Sequence, residues 1–300
     1  MPTEASLSAI PELVQFLNAE TSPEIRHSAI AYIVGISATA EDEFVPTGFA
    51  AHNFSLTKSF CALFETVPSD QPALYSGFIN ITSDDPLTAN FVIEHSSVIS
   101  ISTVHCKNQD SLASDAAKLL SNLSLHFSSK VLNIVAKEWP AFLTDTIDLL
   151  NAKDSADFAD YLGYVLVNCT ELPKIRREVC DHVKNLLPLI SLKNRPKRRL
   201  IAVDIVRNLC FDDDNKILEN ILLKKRGKQS TYSFGFRRKL LPLLFKETTP
   251  AKLERGRQVM AKIRYGMFDD CNCDRVDDDD LIVIVEKRVK ILVGHNAGFV

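Results

Sequence analysis

The sequence predicts an all-α protein built of about five to six tandem helical repeats, and three observations predict it. One five-residue pattern recurs as Phe78-Ile79-Asn80-Ile81-Thr82, Leu120-Ser121-Asn122-Leu123-Ser124, Leu166-Val167-Asn168-Cys169-Thr170 and Val206-Arg207-Asn208-Leu209-Cys210, with the asparagines 42, 46 and 40 residues apart. An earlier copy, Ile33-Val34-Gly35-Ile36-Ser37, carries Gly35 in the Asn place. Second, the residues two and three before the Asn and one after it are almost all apolar, and at about 100° per residue these positions share one helical face. The Asn itself falls on the flank of that stripe. Third, Pro23 and Pro196 stand at the same offset, twelve residues before Gly35 and Asn208; proline at the first helical position loses no hydrogen bond and presets φ. A period of about 40–47 residues is that of HEAT and armadillo repeats. The expected fold is therefore an armadillo/HEAT-like right-handed α-solenoid.

Each repeat reads as a short helix, a turn, a longer helix and a connecting helix. Short apolar stretches precede the long helices at Leu13–Leu17, Ile147–Leu150 and Leu186–Ile190. Asp110-Ser111 and Asp154-Ser155 are candidate N-caps, and Lys216–Leu223 is a candidate connecting helix. Five units are placed at 10–53, 54–95, 96–138, 139–182 and 183–226. The polar stretch Lys224–Gly235 straddles the end of the fifth unit, and residues 227–300 form a diverged sixth helical repeat of the same solenoid. Leu240-Leu241-Pro242 repeats Leu186-Leu187-Pro188, and Asp277–Asp280 precede a last helix from Leu281. The sequence ends at Gly294–Val300 without the polar capping element such an array carries, so a shortened C-terminal repeat is expected.

Composition narrows the function classes. With 46% hydrophobic and 24% charged residues the chain can bury a core. Seven cysteines, an odd number without framework spacing, suit reduced thiols. No signal-like segment opens the chain, and no apolar run approaches the roughly 18 residues of a membrane span, so a cytoplasmic or nuclear protein with no membrane contact is expected. The net charge of −3 hides a polarity. Residues 1–170 hold 7 basic and 20 acidic side chains, a net −13, and residues 171–266 hold 24 and 10, a net +14. Such segregation points to a charged partner.

Residues 162–222 carry Leu162-Gly163, Asn168-Cys169-Thr170-Glu171-Leu172-Pro173, Leu186-Leu187-Pro188 and Arg207-Asn208-Leu209-Cys210-Phe211. That series resembles the HGH-one homolog family of eukaryotic armadillo-like proteins. The match continues through Leu240-Leu241-Pro242, Arg264-Tyr265 and Asp279-Asp280-Leu281, and more weakly through Ser22–Thr39. The resemblance implies a non-catalytic α-solenoid that serves as a cytosolic chaperone or adaptor for translation elongation factor two, alongside the cytosolic chaperonin. It implies no cofactor.

Two sets of residues are candidates for protein binding. The first is the ladder Asn80, Asn122, Asn168 and Asn208. Armadillo proteins in general line their groove with such asparagines, whose amides both donate to and accept from an extended peptide; the other reading of the ladder is that each Asn bridges neighbouring helices. The tryptophan that importin-type readers place four residues earlier is absent, replaced by Ser76, Lys118, Tyr164 and Asp204. The second set is the basic run 193–199, above all Lys197, Arg198 and Arg199, together with Arg207 and reinforced by Lys224–Lys228 and Arg237–Lys239. It suits an acidic protein surface, RNA phosphates or an import receptor, with nucleic acid the weaker of these because no interleaved aromatic set accompanies it; the other reading of the run is a solvated inter-helix turn. The Asn-x-Ser/Thr patterns at Asn53, Asn80, Asn122 and Asn168 are expected to stay unmodified, the last three lying within helices beside core residues. Cys271-Asn272-Cys273 lacks a second ligand pair for zinc, and Asp212–Asp214 and Asp277–Asp280 lack calcium-loop spacing. No catalytic motif is present.

Overall fold

In a computed structural model the described residues are 10–38, 48–152, 156–190 and 194–210. They form α-helices and two 3₁₀ turns, with no strand among them. The helices are α1 (Ile10–Phe16), α2 (Pro23–Ser37), α3 (Ala51–Thr66), α4 (Gln71–Asp84), α5 (Pro86–His95), α6 (Val98–Asn108), α7 (Ala113–Glu138), α8 (Phe142–Asn151), α9 (Phe158–Cys169), α10 (Pro173–Asp181), α11 (Val183–Leu186) and α12 (Pro196–Cys210). Backbone contacts divide the chain into two units, Met1–Asn208 and Leu209–Val300. The sequence features beyond residue 210, with Asp154-Ser155 and Lys193, lie outside the described residues.

Three consecutive helices, α3, α4 and α5, span Ala51–His95, and three more, α8, α9 and α10, span Phe142–Asp181. Between them, α7 runs on across a kink at Phe127, whose φ is −135° and ψ 46°. The second helices meet in series, α2 on α4, α4 on α7 and α7 on α9. Their starts follow from sequence. Proline occupies the first or second position of α2, α4, α5 and α10, and α12 opens on Pro196. Asp85 caps α5 by accepting from the backbone N–H of Leu87 and Thr88 at 3.0 and 3.3 Å. Asp110 does not cap α7 directly; it accepts from Leu112 N–H at 2.9 Å, closing the turn before the helix.

The expected stripe is the core. Ile33, Phe78, Leu120, Leu166 and Val206 are all at most 1% exposed, as are Ile81, Leu123 and Cys169. Each buried side chain of this size contributes roughly 1.5–3 kcal/mol. Tyr32, on the same stripe, is 59% exposed. It belongs to the first described unit, where no earlier described helix covers that face. Two glycines stand where helices approach closely: a Cβ on Gly77 would lie 2.7 Å from Phe60 Cε1, and one on Gly163 2.9 Å from Ile201 Cγ2.

Candidate functional site

The asparagine ladder is an inter-helix bridge. Asn80 Nδ2 on α4 donates to Ser37 Oγ at 3.1 Å and to Val34 O at 3.5 Å on α2. Asn168 Nδ2 on α9 donates to Ser124 Oγ at 2.9 Å and Ser121 O at 3.3 Å on α7. Asn208 Nδ2 on α12 donates to Thr170 Oγ1 at 2.8 Å and Val167 O at 3.2 Å. The acceptors occupy fixed places in the preceding repeat, the carbonyl just before its own Asn (or Gly35) and the hydroxyl two residues after it. Those hydroxyls donate in turn to the same carbonyls, Ser37 to Val34, Ser124 to Ser121 and Thr170 to Val167. Asn122 keeps only the carbonyl, Ile79 O at 3.0 Å, because Thr82 sends its hydroxyl to Phe78 O instead.

This geometry accounts for two sequence oddities. The Asn-x-Ser/Thr patterns at Asn80, Asn122 and Asn168 arise because an inner repeat uses an Asn to reach back and offers a hydroxyl two residues on. Gly35 stands where no earlier described repeat offers an acceptor, and nothing lies within 4 Å of a Cβ built on it. The hydroxyls at 37, 82, 124 and 170 are legible in the repeated segments and are the signal that identifies the bridge. All four asparagines remain half-buried, with Nδ2 committed to the neighbouring helix.

The basic run divides within adjacent residues. Arg198 is not available to a partner, contrary to the sequence expectation: it is 4% exposed. Its Nε donates to Asp160 Oδ1 at 3.0 Å, and Nη1 donates to the carbonyls of Leu150 and Ala152 at 3.0 and 2.9 Å. The guanidinium has the five donors needed to tie a helix end and a carboxylate together. Arg199 is half-buried, and its Nε has no hydrogen-bond partner among the described residues. Lys197 is exposed, with Nζ 5.9 Å from the centroid of Tyr161. Lys118 approaches the same ring from α7, at 5.8 Å. Arg207 is half-buried, 3.5 Å from Asp204. Lys197, Tyr161 and Lys118 thus form one surface cluster drawn from three successive repeats, and the sequence reading included only the first of them.

A second buried ion cluster ties the first two units. Arg26 Nε lies 2.5 Å from Asp70 Oδ2, its Nη1 donates to Thr21 O at 2.7 Å, and His27 Nε2 is 2.8 Å from Asp70 Oδ1. Burial pushes the Asp70 carboxyl up, but the hydrogen bonds and charges of Arg26 and His27 outweigh it and hold the group below its ordinary value. Burial raises the thiols of Cys61 and Cys169 to about 12, so neither is a thiolate at neutral pH. Among the described residues no group of His, Cys, Asp and Glu is placed to hold a metal, and no helix is long and apolar enough to cross a membrane.

Comparison with known proteins places this arrangement. The profile of a domain of unknown function, DUF383, matches residues 104–230, the stretch that holds three of the four asparagines. "Protein HGH1 homolog" of Xenopus tropicalis is 28% identical over 240 residues, covering 72% of this chain and 63% of that protein. The protein of the same name from Drosophila pseudoobscura pseudoobscura is 23% identical over 242 residues, with 72% and 64% covered. The chain is similar to these HGH1 homologs over 72% of its length. It spans slightly less than two thirds of the length of these relatives. Crystal structures of two engineered proteins, each 15% identical, share its helical fold with TM-scores of 0.58 and 0.57; the alignments cover 86% and 87% of this chain and 97% and 71% of theirs.

Proposed function

We propose that this chain is an HGH1 homolog, a non-catalytic armadillo/HEAT-like right-handed α-solenoid that binds protein, acting as a cytosolic chaperone or adaptor for translation elongation factor two together with the chaperonin. The observation that carries the reading is the bridge repeated from α2 to α12, which sets second helices side by side at a constant register. Such a series cannot bury its stripe within one unit and offers a long continuous face instead. The family resemblance supplies the client. On that face the binding groups are the Lys118–Tyr161–Lys197 cluster, Arg207, and the carbonyl side of the amides of Asn80, Asn122, Asn168 and Asn208. Arg198 is left out, being consumed in the core.

Affinity purification of the tagged full chain from cytosol tests the reading. Recovery of elongation factor two and chaperonin subunits is expected, and a correctly folded bait that recovers neither refutes it. Neutralising Lys118 and Lys197 together should weaken recovery, more so at low ionic strength where screening is slight. The second reading, a nucleic-acid- or ribosome-associated factor, draws on the +14 of residues 171–266. It requires retention on RNA with an affinity that falls steeply with salt.

A further inference from the structure

An open groove of about 680 Å³ lies where α6 and α7 end beside α8, lined by Lys107, Gln109, Trp139, Pro140, Ala141, Asp145, Asp148, Leu149 and Ala152. Nothing in the proposed function uses it. Its electrostatics favour a cation from several independent sources. Two helices of 11 and 26 residues terminate there, Gln109 and Trp139 being their C-caps, and a helix C-terminus carries the negative end of the macrodipole. Two carboxylates one helical turn apart, Asp145 and Asp148, project from α8. The positive N-terminus of α8 is met by Asp145 in its own first turn. Asp145 is also held by Trp139, whose indole Nε1 donates to Oδ2 at 2.6 Å, so the side chain is fixed before any ligand arrives.

The groove already holds one cation of its own. Lys107 Nζ donates to the carbonyl of Glu138, the last residue of α7, at 3.2 Å. The walls, Pro140, Ala141, Leu149 and Ala152, suit the methylene stem of a basic side chain, which covers apolar surface while its head stays polar. The whole feature sits in the part of the chain with a net −13, which would draw a basic segment by long-range attraction.

We infer that this groove is a docking site for a lysine or arginine side chain presented by a basic segment of a partner polypeptide. It is separate from the Lys118–Tyr161–Lys197 cluster and has the opposite charge preference.

Trp139 is the single tryptophan of the chain, so its fluorescence reads this groove alone. The experiment titrates a lysine hexapeptide, with a glutamate hexapeptide as control, into the full-length protein. A saturable change in Trp139 emission with the lysine peptide only is expected. Asp148→Asn should weaken it by about three- to tenfold. Lys107→Gln should strengthen it, because the resident cation is removed; a merely structural role for Lys107 gives no such gain. Ala141→Lys, on the exposed rim, should block it and keeps the test open if Asp148→Asn folds poorly. The double variant Glu12→Gln/Glu20→Gln removes two charges elsewhere on the acidic segment and should stay within about twofold. Unmoved Trp139 emission while a labelled lysine peptide still binds overturns the inference, as does equal weakening by Asp148→Asn and the Glu12/Glu20 double variant. Spermidine binding as tightly as the hexapeptide overturns the assignment to a polypeptide side chain.

Discussion

The junction between the first and second repeats and the junction between the fourth and fifth are held by the same arrangement with the charges exchanged. In the first, Arg26 on the earlier unit meets Asp70 on the later one, and the arginine ties down the turn carbonyls of the earlier unit at Ala19 and Thr21. In the second, Asp160 on the earlier unit meets Arg198 on the later one, and that arginine again ties down the earlier unit's turn, at Leu150 and Ala152. What is kept is the job, closing the turn between a short helix and a long one. Which unit supplies the cation is not kept. Between the second and third units a neutral residue does the same work: Gln71 Nε2 donates to Phe64 O at 2.9 Å, and its Oε1 lies 3.1 Å from His105 of the next unit.

The largest effect should come from breaking either buried pair. Arg198→Ala or Arg26→Ala leaves a buried carboxylate without its main partner, a loss of about 3–5 kcal/mol in urea unfolding. The comparison is sharpened by exchange: Asp160→Arg combined with Arg198→Asp reproduces the charge order of the first junction and should recover at least half of the loss. No recovery would mean that the two sites are alike only in outline. Next come the bridges. Asn168→Ala removes bonds to a hydroxyl and a carbonyl, and about 1–2 kcal/mol is expected. Asn122→Ala removes one bond and should cost less, about 0.5–1 kcal/mol. Equal losses would break the distinction between them.

Acid should act unevenly. The Asp70 carboxyl has a folded pKa depressed below its ordinary value near 4, so the stability it contributes is present above that value and is lost as pH falls through the folded pKa. Amide exchange in α2 and α4 should therefore stay protected down to about pH 4 and rise below it. The smallest stability effect is the most discriminating. Lys197→Glu, one residue from Arg198, should change unfolding free energy by less than about 0.5 kcal/mol while weakening capture of the client.

The helices, the buried stripe and the starts at Pro23 and Pro196 were legible in the sequence because they rest on periodicity and on single-residue backbone chemistry. Arg198 was not legible as a core residue. A run of four bases within five positions looks like a solvated face, and only the partners Asp160, Leu150 and Ala152, 38 to 48 residues away, reveal otherwise. Tyr161 was missed for the same reason, since its two lysines come from different repeats. The groove at Trp139 depends on where three helices end in space, which no local pattern encodes. The asparagines were found, but the hydroxyl two residues further on, equally regular in sequence, carried the half of the information that identifies their partner.

The bridge has a consequence for how such a chain changes length. Each inner repeat carries both a plug, the Asn, and a socket, a carbonyl that in all but the second repeat is joined by a hydroxyl, so a duplicated or deleted unit still finds an acceptor on its neighbour. The ion clusters impose the opposite restriction. Placing the fifth unit after the first would set Arg198 against Arg26, and placing the second after the fourth would set Asp70 against Asp160. One device makes the units interchangeable, and the other fixes the order in which they can be strung.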